Sequence, residues 1–174
     1  MRDDGDIVRA VCEGHPELYR DLVDRHAPAV FRVVRATVGQ EADAEDTAQE
    51  VFWVAFRKLA TLREPARFRS WLLAIAARKS ADYLRKKLRS PTVLPLDGEP
   101  VAPFPDENAS RLRTVEEIVA GLPPGARLIF ALRHHEGLAC TQIAKMLDLP
   151  KGTVYSRLSR IHEAIRRAAG VKDQ

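Results

Sequence analysis

With 174 residues, 45% of them hydrophobic and 30% charged, the chain has a globular balance and suffices for one ordinary domain or two small helical ones. No apolar run approaches the roughly 18 residues of a membrane-spanning helix, and Cys12 and Cys140 lack the spacing of a zinc site, so neither a span nor a metal centre is expected. The net charge of +4 is unevenly spread, Lys and Arg against Asp and Glu numbering 17 to 14 in residues 1–90, 2 to 6 in 91–121 and 9 to 4 in 122–174, which suits two nucleic-acid-facing modules joined by a spacer that does not stick to DNA.

The amino terminus, "MRDDGDIVRA", is too acidic and too poor in apolar residues for a signal peptide, so a cytoplasmic protein with free thiols is expected. From Pro16 to Val38 apolar residues recur at Leu18, Leu22, Val23, Val30, Val33, Val34 and Val38, and this spacing predicts a helix that Gly39 stops. A second helix is predicted over about 41–62. Its apolar face comprises Ala44, Ala48, Val51, Phe52, Ala55, Phe56 and Leu59, with Asp46, Gln49, Glu50, Trp53 and Arg57 opposite. A tryptophan among charges marks a docking surface, unless it tucks against the first helix or a nearby loop.

The third helix, predicted over about 66–89, interleaves Phe68, Trp71, Leu72, Ile75, Leu84 and Leu88 with Arg67, Arg69, Arg78, Lys79, Arg85, Lys86, Lys87 and Arg89. Cations near aromatics are what single-stranded or melting DNA requires, since phosphates need positive charge and an unstacked base needs a flat partner. Packing in the core is the competing use for these aromatics, Trp71 above all. The segment "SPTVLPLDGEPVAPFPDENAS" then brings five prolines and no basic residue, and reads as a linker.

Beyond it, helices are predicted over about 110–121, from Pro123–Pro124 to about 136, and over about 139–147. "DLP", residues 148–150, is then a three-residue turn into a last helix whose stripe is Val154, Leu158, Ile161 and Ile165. That spacing is a helix-turn-helix, whose second helix lies in the major groove. Lys151, Thr153, Tyr155, Ser156, Arg157, Ser159 and Arg160 are not needed for the stripe and are candidates for bases and phosphates, the bland alternative being a solvated basic helix. No glycine-rich phosphate loop, nucleophile elbow or acid/base triad is present, Glu45 and Asp46 point to different faces, and the adjacent His134 and His135 splay apart on a helix, so no enzyme activity is expected.

Through "DAEDTAQEVF", "FRSWLLAIAARKSADYLRKK" and "LPPGARLIFALRHHEGLACTQIAKMLDLPKGTVYSRLSRI", the chain resembles the group IV, or extracytoplasmic-function, sigma factors of bacterial RNA polymerase, within the sigma-70 family. The resemblance implies an all-α protein of two small helical domains: sigma region 2 over 1–89, a Pro-rich linker over 90–108, and the region 4 helix-turn-helix over 109–174. It implies an alternative sigma factor that directs core RNA polymerase to promoters answering a stress or signal. The rival reading is a sigma-like adaptor, or a helix-turn-helix regulator, that binds a regulatory partner without initiating transcription.

By the same resemblance, Asp46, Gln49, Glu50 and Trp53 dock on the β′ coiled coil of core polymerase, and the β flap is a further contact. The segment Leu62 to Arg69 and the helix after it, with Arg63, Arg67, Phe68, Arg69, Trp71, Arg78, Lys79, Arg85 and Lys86, read and help to melt the promoter −10 element. The helix from Lys151 reads the −35 element as duplex, through Lys151, Thr153, Tyr155, Ser156, Arg157, Ser159 and Arg160. An anti-sigma factor is the expected regulator; no cofactor and no small-molecule substrate are expected. The chain departs from the family's pattern at Arg78, where asparagine is frequent, at Ala139, where a serine usually caps the helix, and at Asp148, where glycine is common.

Overall fold

The computed structural model describes residues 2–87 and 114–168. The linker, Leu88 and Arg89 at the end of the third predicted helix, and the predicted helix onset at 110–113 lie outside the described residues. The fold is all helical, and the chain divides into two compact units at Tyr83 and Leu84.

The first unit opens with a helix that periodicity in the longer segments does not announce, α1, Asp4–Cys12. Asp3 caps it, its Oδ1 accepting from the Asp6 N–H at 2.7 Å, and Asp4 and Asp6 in the first turn complement the helix dipole. Ile7 and Val8 are buried. The predicted 16–38 helix is a 3-10 turn, Pro16–Leu18, running into α2, Tyr19–Arg35; it ends four residues before Gly39. Leu22, Val30, Val33, Val34 and Val38 of its predicted stripe are buried.

Helix α3, Glu41–Lys58, packs against α2 and closes with a 3-10 turn, Leu59–Thr61. A second 3-10 turn, Pro65–Arg67, leads into α4, Phe68–Lys87. The buried face of α4, Phe68, Leu72, Leu73, Ala76, Ala77, Ser80, Ala81 and Leu84, keeps helical spacing, and its alanines and serine leave room for close helix approach. Polar ties set the register of α4 on α3: Tyr83 Oη donates to Asp43 Oδ2 at 2.7 Å, and Lys79 Nζ pairs with Glu50 Oε1.

In the second unit α5, Val115–Ala120, begins at a full capping box. The Thr114 side chain accepts from the Glu117 N–H at 3.2 Å, and the Glu117 carboxylate accepts from the Thr114 N–H at 3.1 Å. Arg127 Nη1 donates to the carbonyls of Ala120 and Leu122, satisfying acceptors at the α5 C-terminus. The helix predicted to run unbroken to residue 136 is α6, Pro124–Phe130, followed by a π turn, Ala131–His135, in which the Glu136 N–H reaches back five residues to Ala131 O.

Gly137, at φ 70°, breaks the chain there as predicted. Helix α7, Cys140–Leu147, ends at Asp148, which takes the left-handed conformation (φ 55°) that glycine would otherwise supply. Helix α8, Lys151–Ala168, follows, with α5, α6 and α7 packed against it. Val154, Leu158 and Ile161 of its predicted stripe are buried with Leu128, Leu132 and Ile143, and Ile165 is half-buried.

Candidate polymerase and promoter surfaces

Three groups of side chains emerge from this framework. On α3, Ala44, Val51 and Ala55 face inward and Asp46, Gln49, Glu50 and Trp53 face outward, as the periodicity predicts, and Thr47 is buried as well. Trp53 is 58% exposed, a large apolar surface left to water by an aromatic side chain. The Arg57 guanidinium lies 4.6 Å from its ring centroid, one turn on, and steadies the indole by a cation–π contact.

Phe56, placed by periodicity on the apolar face, is instead 43% exposed. It meets the edge of the Tyr19 ring at 4.9 Å, while Tyr19 Oη donates to the Phe52 carbonyl at 2.8 Å. Burial pushes the Tyr19 phenol well above its ordinary value, so it stays a neutral donor across the working pH range. Trp53 and Phe56 together give α3 an aromatic rim that the sequence revealed only in part.

The second group sits around the Pro65–Arg67 turn and on α4. Arg63, Arg67, Arg69, Arg78 and Lys86 are exposed, and Arg85 is half-buried; Arg67 pairs with Glu64 at 2.8 Å. One of the predicted contacts needs correction. Phe68 is fully buried, tilted against the His26 ring at 5.4 Å and the Trp71 ring at 6.1 Å, so it belongs to the core and has no surface to offer a base. Lys79 is half-buried and spends its charge on Glu50, so one ion pair joins two residues assigned to separate surfaces. Trp71 is half-buried, its ring against Phe68.

The third group lies on α8. Lys151, Ser156, Ser159 and Arg160 are exposed, Tyr155 is 57% exposed and Thr153 is half-buried. Ser156 Oγ donates to Thr153 O at 3.1 Å, an arrangement that leaves the hydroxyl's lone pairs outward. Arg157 departs from the outward position expected of it: it is half-buried, with one guanidinium nitrogen fully enclosed.

Sequence reasoning passed over two polar clusters. Asp4 is held between Arg25, whose Nη1 donates to Oδ1 at 2.5 Å, and the buried His26, whose Nε2 lies 2.7 Å from Oδ2. The N-cap pattern at Asp3 and the apolar Ile7, Val8 and Val11 were the available signal for the helix that brings Asp4 there. In the second unit the π turn aims His134 at α8, its Nε2 2.9 Å from His162 Nε2. Phe130 lies under both His134 and His135, with ring centroids at 4.6 and 5.7 Å. Among the described residues no group of three or more His, Cys, Asp or Glu side chains could hold a metal ion, and no helix is long and apolar enough to cross a membrane.

The family model for Sigma-70 region 2 matches residues 22–90, and that for Sigma-70, region 4 matches residues 112–165. The chain is 30% identical to the RNA polymerase sigma-H factor of Pseudomonas aeruginosa, over 97% of this chain and 94% of that one. It is 31% identical to the ECF RNA polymerase sigma-E factor of Escherichia coli, over 91% and 90% respectively. The fold is similar to that of CnrH, solved with the cytosolic domain of CnrY, at a TM-score of 0.65 and 20% identity over 98% of this chain and 99% of that one. It is equally similar to the sigma factor RpoE of Bartonella quintana, solved with the anti-sigma factor NepR, at a TM-score of 0.65 and 20% identity over 89% and 98%.

Proposed function

Because this chain belongs to the sigma-70 family, with the ECF RNA polymerase sigma factors, it is an alternative sigma factor that directs transcription, and we propose how its surfaces divide the work. The α3 face of Asp46, Gln49, Glu50 and Trp53 docks on core RNA polymerase, at the β′ coiled coil. Such a face needs a large aromatic anchor already ordered before binding, because immobilising a free side chain costs affinity. The Arg57 contact meets that need.

Arg63, Arg67 and Arg69, with Arg78 and Lys86 farther along α4, present cations to the −10 strand, and the half-buried Trp71 is the aromatic nearest to hand. On α8, Lys151, Tyr155, Ser156, Ser159 and Arg160 face the −35 duplex, with Thr153 beside them. Arg157, half-buried with one guanidinium nitrogen enclosed, adds only the rest of its head to this face. Bidentate contacts from arginine to guanine and hydroxyl contacts to phosphate are what this face can make. Charge supports the division, since residues 122–174 carry 9 Lys and Arg against 4 Asp and Glu.

An anti-sigma factor is the proposed regulator, as for the sigma factor RpoE solved with NepR, and promoters answering a stress or signal are the proposed targets. The protein works in the cytoplasm, where polymerase and promoter are, and carries out no chemistry of its own.

The single observation that carries the polymerase assignment is the exposure of Trp53 beside Arg57. Trp53→Ala is expected to weaken binding of core polymerase by about tenfold or more, the loss typical of an interface anchor, with the denaturant midpoint unchanged. An unaltered affinity would remove α3 from the interface, and a large fall in stability would return Trp53 to the core.

A further inference from the structure

We propose that helix α1 is a positioning element for promoter recognition: through Gly5 and Asp4 it fixes the segment from Arg63 to Arg69, and so decides which −10 bases that segment accepts. The proposal rests on the assignment of this segment to the −10 element. Helix α1 precedes residues 22–90, the part of the chain matched by region 2.

Two routes run from α1 to the same place. By the first, α1 packs directly on the Pro65–Arg67 turn and also touches the Leu59–Thr61 turn, so the loop between them is held at both ends. Gly5 is buried at this contact, and a Cβ there would stand 3.4 Å from Ala66 N and 3.2 Å from the Asp3 carboxylate that caps the helix. The tighter of the two contacts is with the carboxylate that caps α1, and on the other side the added carbon would rest on the Ala66 backbone at ordinary contact distance. Ile7 and Val8, both buried, anchor α1 so that it cannot retreat.

By the second route, Asp4 holds Arg25 and His26 on α2, and the buried His26 ring lies against Phe68, the first residue of α4. Residues 66 and 68 are therefore set by adjacent residues of one helix turn, Gly5 directly and Asp4 by way of His26. Between and beside them stand Arg67 and Arg69, both exposed. A displacement of α1 is carried through 66–68 to these guanidinium groups, whose discrimination between bases depends on bidentate geometry.

The test uses the full chain with core polymerase on a promoter library randomised through the −10 element. Gly5→Ala and Asp4→Asn are expected to change the ratio of transcripts from preferred and substituted −10 sequences by about fivefold, the lower end of coupling between separate sites. Binding of the −35 duplex and of core polymerase is expected to stay as it was, and Asp4→Glu to restore part of the preference. A ratio of transcripts does not depend on the amount of folded protein, so a purely structural role would leave it untouched; an unchanged ratio in both folded variants overturns the proposal.

Hydrogen exchange on the unaltered chain supplies a test that needs no variant. Amides of 66–68 protected to the same degree as those of Ile7 and Val8 support the clamp, and exchange faster by about tenfold or more overturns it. If the unaltered chain starts no transcripts, the reading of its function fails while exchange still decides the clamp.

Discussion

At residue 139 the helix that opens the turn unit has half a cap. Gln142 Oε1 accepts from the Ala139 N–H at 2.9 Å, and the Ala139 carbonyl takes the Gln142 and Ile143 N–H groups, but the alanine side chain has no oxygen to offer the first turn. The backbone already has the extended conformation of an N-cap, at φ −69° and ψ 147°, so a serine hydroxyl there would meet Thr141 or Gln142 N–H without rearrangement. Ala139→Ser is expected to raise stability by about 0.5–1 kcal/mol, read as an upward shift in the denaturant midpoint; no shift would mean that water already serves those donors equally well. Position 148 is the converse case, because aspartate there tolerates the left-handed turn and costs little against glycine. Both departures were legible from residue identity alone. Phe68 was not: it and Trp53 are each an aromatic among charges in the sequence, and only His26, brought from 42 residues earlier, shows which one is enclosed.

The elements themselves were readable where a long apolar stripe repeats, as in α2, α3, α4 and α8. Helix α1 was missed because nine residues offer too few repeats against an acidic start. The π turn was missed because one extra residue in a turn leaves no compositional trace. That turn has a measurable consequence. It sets His134 against His162, where one ring N–H donates to the other ring's lone pair, an arrangement two imidazoliums cannot make. Burial first, then the charges of His162, Arg133 and His135, hold the His134 imidazole below its ordinary value of 6.5. The unfolded chain therefore takes up the proton more readily than the folded one, and stability present above about pH 6.5 is lost as the pH falls through the lowered value. Acidification from pH 7 to pH 5 is expected to lower the protection factors of amides in α6 and α8, taken against the intrinsic exchange rate at each pH, and His134→Gln to flatten that response. An identical pH response in the variant would place the sensitivity elsewhere.

For the whole molecule, two helical units with exposed cations, an acidic proline-rich segment between them and a steadied tryptophan form a consistent set, and charge distribution announced it before any coordinate did. What the sequence could not supply is the coupling of side chains through packing, as where Glu50 of the proposed polymerase face pairs with Lys79, which the sequence alone assigns to the promoter. The most direct measurement is run-off transcription with purified bacterial core polymerase, with and without this chain, on a genomic promoter library. Defined start sites that appear only when the chain is added, sharing one −10 and one −35 sequence, are the expected result. Polymerase binding without any new start site would contradict it, and would favour an adaptor that occupies the sigma position without reading a promoter.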